Sequence, residues 1–167
     1  MTAWSDSDWS VARSVTGGCL QYAGGNIFAV SKRQDCAAGS STHAEIVAAS
    51  TVANEAVWLR GLLEEVLRPQ RSPTPLFMDN SAVYSLSRDF SSSSKTCHIA
   101  RRHFVVREHQ HQALIDTRRV ATQNNWSDLF TKLHTRVPFE RMIHHIMNIV
   151  RVGCTVVRPR SVQFGNK

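Results

Sequence analysis

The chain has 167 residues, 42% of them apolar, with a mean hydropathy of −0.25, which excludes a disordered chain and suits one domain with a sizeable core. No apolar run approaches the roughly 20 residues of a membrane-spanning helix. The net charge of +7 and pI near 9.8 point to a polyanionic partner rather than a membrane. The first residues, Met1-Thr2-Ala3-Trp4-Ser5-Asp6, have neither the basic region nor the apolar core of a signal peptide. The cysteines, Cys19, Cys36, Cys97 and Cys154, form no C-x-x-C pair. Free thiols in a reducing compartment follow, so we expect an intracellular protein, cytoplasmic or nuclear, that is not secreted.

In chain order, residues 1–6 read as the end of a short strand, clipped because few apolar residues precede Asp6. Gly17-Gly18 opens a second apolar segment, 19–22. Gly24-Gly25-Asn26 is a hairpin-type turn and 27–30 the return strand. Residues 31–41 are polar and begin with Lys32 and Arg33. Thr42 and Glu45 then make a T-x-x-E helix-start signal. The helix runs to about Leu67 without a proline. On a helical wheel Ala49, Val52, Ala56, Leu59 and Leu63 fall within about 40° of Glu45, whereas His43, Asn54, Gly61 and Glu65 fall opposite. Trp58 lies off that stripe and is expected to cover a helix edge. Pro69, Pro73 and Pro75 bracket a linker. Leu76-Phe77-Met78 is a short strand ending at Asp79-Asn80, and a second helix runs from Ser81 to about Arg88.

The serines 91–94 make a flexible joint, and 98–111 reads as a basic helix carrying Arg101, Arg102, Arg107 and several histidines. Residues 113–121 alternate weakly through Leu114, Ile115 and Val120 as a last strand. A helix starts over 127–132, and 139–149 is amphipathic. Residues 1–150 thus form one domain, and 151–167 a basic tail expected to be loosely ordered. This alternation predicts an α/β fold, a mixed sheet with helices packed on it. Sites in such sheets form at strand ends beside helix starts.

A carboxylate therefore opens the apolar face of the long helix. A buried carboxylate is costly without a partner. Glu45 either folds back to cap its own helix or faces other polar groups across the domain edge. Asp6, Asp79 and Asp128 sit at similar junctions. Singly, each has an ordinary explanation as a cap or turn residue. Together they change the argument, because gathered carboxylates repel one another and stay ionised only with cations. Magnesium prefers such oxygen ligands, and two ions a few ångströms apart can activate water and stabilise the leaving oxygen in phosphodiester cleavage. A basic surface around that pocket fits a nucleic-acid backbone.

At these residues the chain resembles the ribonuclease H domain of Ty1/copia-type retrotransposon polyproteins. Ser5-Asp6-Ser7-Asp8-Trp9 is similar to the family's S-D-x-D-W, and Ser40-Ser41-Thr42-His43-Ala44-Glu45 to S-S-T-E-A-E. Residues 53–59 match A-x-E-A-x-W-L, Asp79-Asn80 the D-N after a strand, and Lys95-Thr96-Cys97-His98-Ile99 K-T-K-H-I. Residues 104–108 are like H-F-[IV]-R-E with a one-residue offset, and 127–132 match A-D-x-x-T-K. These pieces run in family order from about residue 4 to 147. The resemblance implies a ribonuclease H-like fold and hydrolysis of the RNA strand of RNA–DNA hybrids with two magnesium ions, manganese being an alternative. It maps the catalytic, metal-holding acids onto Asp6, Glu45, Asp79 and Asp128. Asp6 would bridge the ions, with Glu45 and Asp79 on one side and Asp128 on the other. It also implies an upstream reverse transcriptase domain as polyprotein partner. The chain departs from the family in a shorter loop over 10–15, in His43 and Cys97, and in lacking a proline after Lys132. Its start beside the first catalytic strand leads us to expect a fragment or a decayed genomic copy.

Lys32, Arg33, Arg101, Arg102 and Arg107 are candidate nucleic-acid contacts, with Arg118 and Arg119 behind them. A solvated basic face explains each equally well alone. His98, His103, His109 and His111 invite a zinc reading, but a spacing of five between the first two is poor for one helical face and no cysteine pair joins them. No serine or cysteine has nucleophile context, and no Gly-rich phosphate loop is present. The alternatives to a nuclease are a binding-only remnant of the same fold and a module that stabilises a reverse transcriptase.

Overall fold

The computed structural model describes residues 1–10, 12–35, 37–88, 100–152 and 155–157, with backbone alone at 100–104, 150–152 and 155–157. Three strands open the chain, β1 (Thr2–Asp8), β2 (Val15–Tyr22) and β3 (Gly25–Arg33). β4 (Thr74–Met78) and β5 (Ile115–Arg119) complete a five-stranded sheet of order β3-β2-β1-β4-β5. The first three strands pair antiparallel, while β4 runs parallel to β1 and β5 parallel to β4. The α/β architecture read from the sequence is therefore the observed one.

β1 is the central strand and runs for seven residues. Ala3 to Ser7 are all buried, since partners flank the strand on both edges. Its serines and aspartates hid it, because they are covered by tertiary packing rather than by their own hydrophobicity. Gly17 and Gly18 lie inside β2 instead of opening it. The hairpin turn falls on Ala23 and Gly24, both with positive φ (50° and 82°), as a two-residue turn joining twisted strands requires. β3 consequently runs on to Arg33, so Lys32 and Arg33 belong to an edge strand rather than to a loop.

The long helix, α1 (Ser41–Glu65), is capped by Ser40, whose hydroxyl accepts from the His43 backbone N–H at 3.1 Å. The T-x-x-E signal therefore does not start the helix. Thr42 lies already inside it, and Glu45 is released from a capping role. Ser40→Ala is expected to lower stability by about 1 kcal/mol, read as an earlier urea midpoint at unchanged slope. The predicted stripe of Ala49, Val52, Ala56, Leu59 and Leu63 is buried, but so are Ile46, Val47 and Ala53. α1 is covered on more than one side, by β1 and β2 and by α3 (Ala100–His111), whose Val106 joins the same core. Trp58 is 65% exposed and is not part of that core.

α2 (Ser81–Arg88) forms where the sequence places it, with Asn80 Oδ1 accepting from the N–H groups of Ala82 (2.9 Å) and Val83 (3.2 Å). Residues 127–132 do not start an α-helix. They fall in and just after a single 3₁₀ turn, Trp126–Phe130, and α4 (Arg136–Ile146) follows. The beginning of the basic tail pairs as a small hairpin, β6 (Val150–Val152) with β7 (Thr155–Val157). The serine joint, the K-T-x-H piece and residues 158–167 lie outside the described residues. Among those described, no helix is long and apolar enough to cross a membrane.

Candidate metal centre

Because β1 and β4 are parallel, their carboxyl ends emerge at the same edge of the sheet, next to the first turn of α1. Asp6 comes from β1, Asp79 follows the last residue of β4, and Glu45 is the fifth residue of α1. One carboxylate oxygen from each lies within 4.8 Å of the other two. Asp6 is 1% exposed, so its carboxyl group is enclosed by the sheet rather than by solvent.

Asp128 reaches this edge on the segment 125–132, which straps across the sheet. Asn125 anchors the strap. It is buried, donates to the Ser5 carbonyl (3.1 Å) and accepts from the Ser127 hydroxyl (2.6 Å). The strap can close because Gly17, opposite Asp6, has no side chain. A Cβ there would stand 2.4 Å from Thr131 Cγ2 and 2.9 Å from Ser127 O. Thr131 Oγ1 donates to Asp6 Oδ2 in a short hydrogen bond. Lys132 Nζ lies 3.1 Å from Asp128 Oδ1 and 3.4 Å from Asp6 Oδ2. His134 donates from Nε2 to the Asp128 carbonyl at 2.9 Å. Asp128 thus stands apart from the convergent three and is tied to Asp6 through one ammonium.

The electrostatics follow from this crowding. Burial, then Asp6 and Asp79, push Glu45 up to about 9, with Lys132 opposing. Burial and Asp6 push Asp128 up to about 6, again against Lys132. Burial works to lower the Lys132 ammonium, but Asp6 and Asp128 outweigh it and raise it. Both acids bind protons more tightly folded than unfolded. Their contribution is complete below the ordinary carboxylate range and is lost as pH rises through the folded values, from 4.5 towards about 9 for Glu45 and from 3.8 towards about 6 for Asp128. In chelator, the chain is expected to melt at a lower temperature at pH 8 than at pH 5.5, with a shallower fall in Glu45→Gln. Equal slopes in the two chains would contradict this account.

The basic candidates are spread over separate elements. Lys32 and Arg33 line a cleft of about 280 Å³ between β3 and α1, together with Thr51, Asn54 and Glu55. Lys32 is 3.8 Å from Asp35, an exposed pair. Arg107 is half-buried on α3, and the side chains of Arg101 and Arg102 lie outside the description. Arg118 is held by Asp116 at 2.8 Å. His109 pairs with Asn54 (3.0 Å), and burial lowers its pKa. Of the groups that complete the site, Thr131 and Lys132 lie within the A-D-x-x-T-K match but have no local signal for their roles. Asn125 and His134 have none at all.

No family model matches the sequence. The retrovirus-related Pol polyprotein of transposon TNT 1-94 from Nicotiana tabacum is 31% identical over 128 residues, 77% of this chain and 10% of that protein. Those of the Arabidopsis thaliana transposons RE2 and RE1 are 28% and 27% identical, over 86% and 94% of this chain. The N-terminal ribonuclease H domain of a Mycobacterium tuberculosis protein, solved as a fusion with maltose-binding protein, superposes with a TM-score of 0.59. It has 12% identity and covers 86% of this chain and 95% of that one. The chain is related to copia-type retrotransposon Pol polyproteins and has a ribonuclease H fold. It spans about a tenth of the length of the curated relatives it matches. Within this ribonuclease H fold, the acidic cluster stands where the central strand and the long helix meet.

Proposed function

We propose that this copia-type chain is a magnesium-dependent endonuclease that hydrolyses the RNA strand of RNA–DNA hybrids. The observation that carries the reading is the convergence of Asp6, Glu45 and Asp79 carboxylate oxygens within 4.8 Å at one sheet edge. The donor set fits a divalent magnesium ion, being all hard oxygen, with manganese as a substitute. Burial first, then Asp6 and Asp79, push Glu45 up to about 9, and a cation bound beside it would favour its ionised form. Asp6, Glu45 and Asp79 would hold one ion, and Asp6 with Asp128 a second. Bound there, such ions lower the pKa of an attacking water and stabilise the leaving oxygen of the phosphodiester.

The chain's own residues do the positioning. Thr131 fixes the orientation of Asp6 through its hydroxyl. Asn125 holds the strap that brings Asp128 to the edge. Lys32 and Arg33 on β3, and the arginines of α3, supply phosphate contacts along the duplex. The products carry a 3′-hydroxyl and a 5′-phosphate. Residues 1–150 form the active unit, with 151–167 as an appended basic tail and an upstream reverse transcriptase domain as the polyprotein partner.

The test is incubation of the purified chain with an end-labelled RNA–DNA hybrid in magnesium, in manganese and in chelator. Cleavage confined to the RNA strand and abolished by chelator is the expected result. Hybrid binding without cleavage would replace this reading with a binding-only remnant. Neither binding nor cleavage would leave a structural module.

A further inference from the structure

Asp6 has two sides. Towards Glu45 and Asp79 it meets other carboxylates, and those three converge. Towards Asp128 it meets an ammonium, Lys132 Nζ, at 3.4 Å from Asp6 Oδ2 and 3.1 Å from Asp128 Oδ1. Asp128 is not part of the convergent group, and the cation between it and Asp6 comes from the protein. The seat of Lys132 is built locally. Its backbone N–H donates to the Asp128 carbonyl at 3.0 Å, which folds the residue back over the strap. The neighbouring Thr131 hydroxyl binds the same Asp6 oxygen that faces the ammonium. The Lys132 side chain is 38% exposed.

We propose that Lys132 is a tethered cation seated between Asp6 and Asp128, so that the chain takes one divalent ion at Asp6, Glu45 and Asp79 and admits a second beside Asp128 only by displacing that ammonium. The inference rests on the metal-centre reading above and deepens it. An ion beside Asp128 would draw on the carboxylates that now hold Lys132. Two cations a few ångströms apart in a partly buried site repel strongly. One of the contested carboxylates, that of Asp6, is 1% exposed and so is shut off from bulk solvent. Magnesium also gives up its own waters reluctantly. The first ion shares only Asp6 with that ammonium and has Glu45 and Asp79 besides. The two positions are therefore filled in order, and Lys132 acts as a positioning residue that sets the gap between them.

The experiment is manganese binding to the full chain, followed by the loss of the free-ion paramagnetic resonance signal. It compares wild type, Lys132→Gln, Lys132→Arg, Asp128→Asn and the Lys132→Gln/Asp128→Asn double variant, each checked for fold by circular dichroism. Wild type is expected to bind one ion, with the second at least tenfold weaker. Lys132→Gln should tighten the second ion tenfold or more and the first far less. Lys132→Arg, which keeps the charge, should bind as wild type does. The gain should vanish in the double variant, because the position it opens is formed by Asp128. Two equal ions in wild type, or an unchanged second ion in Lys132→Gln, would overturn the inference while leaving the metal centre standing. A gain that persists without Asp128 would do the same, by showing a general charge effect. Absence of manganese binding in every chain would overturn the metal-centre reading and this inference with it.

Discussion

Asp6→Asn is expected to reduce hybrid cleavage by on the order of 10³-fold or more, about 4 kcal/mol of barrier, while the chain stays folded. Asp6 is the member shared by both sides of the centre. Its carboxylate converges with those of Glu45 and Asp79 and also faces the Lys132 ammonium. Asparagine keeps the shape and leaves an oxygen for the Thr131 hydroxyl, so the packing of the buried position is preserved. What goes is one negative charge. That loss relieves Glu45 of the second-largest cause of its elevation, after burial. The ion-free variant is therefore expected to melt no lower than wild type, and magnesium should raise its melting temperature less, since ligand-linked stabilisation scales with affinity. Single-turnover cleavage and paired melts with and without magnesium check both halves. Cleavage within tenfold of wild type would remove Asp6 from the catalytic set.

The second large effect is mechanical. Gly18→Ala is expected to destabilise the fold by about 1–3 kcal/mol through overpacking, a fall of roughly 3–10 °C in melting temperature. A Cβ at Gly18 would stand 2.2 Å from Val52 Cγ2 and 3.1 Å from the Trp4 carbonyl. Val52 is fully buried on α1, and a branched side chain in a filled core cannot swing aside. The helix must therefore move off the sheet. Gly17→Ala differs although it is the next residue. It meets Thr131 Cγ2 and the Ser127 carbonyl, so it pushes on the strap and not on the helix. Its expected signature is a loss of activity out of proportion to the loss of stability, because Asp128, Thr131 and Lys132 are carried away from Asp6. Thermal melts and cleavage rates of the two variants side by side distinguish these effects. Equal behaviour in both assays would refute the division of labour between the two glycines.

Short-range signals were enough for much of this protein. The long helix follows from a proline-free run with one apolar stripe, and the helix Ser81–Arg88 lies where the sequence places it, after a short apolar strand. Asp79 is legible as the end of a short apolar strand, and Glu45 as a carboxylate aimed from the apolar face of its helix. The order of these pieces, and with it the α/β class, is written in local periodicity, which extends over a few residues and needs no partner to be read.

Contacts distant in the chain decided the rest. β1 is central because strands from residues 15–22 and 74–78 close on it, and nothing within its own serines and aspartates announces that burial. The hydroxyl that caps α1 was settled by how the chain enters the helix, which chose Ser40 over Thr42 and freed Glu45. Asp128 meets Asp6 across more than a hundred residues, through a strap that closes only because Gly17 lacks a side chain. The sequence by itself determined which carboxylates the protein owns and on which elements they ride. The tertiary structure decided that three of them converge while Lys132 holds the fourth. The physical reason is that charge–charge distances in a folded chain are set by sheet register and strap packing, and no local pattern encodes either.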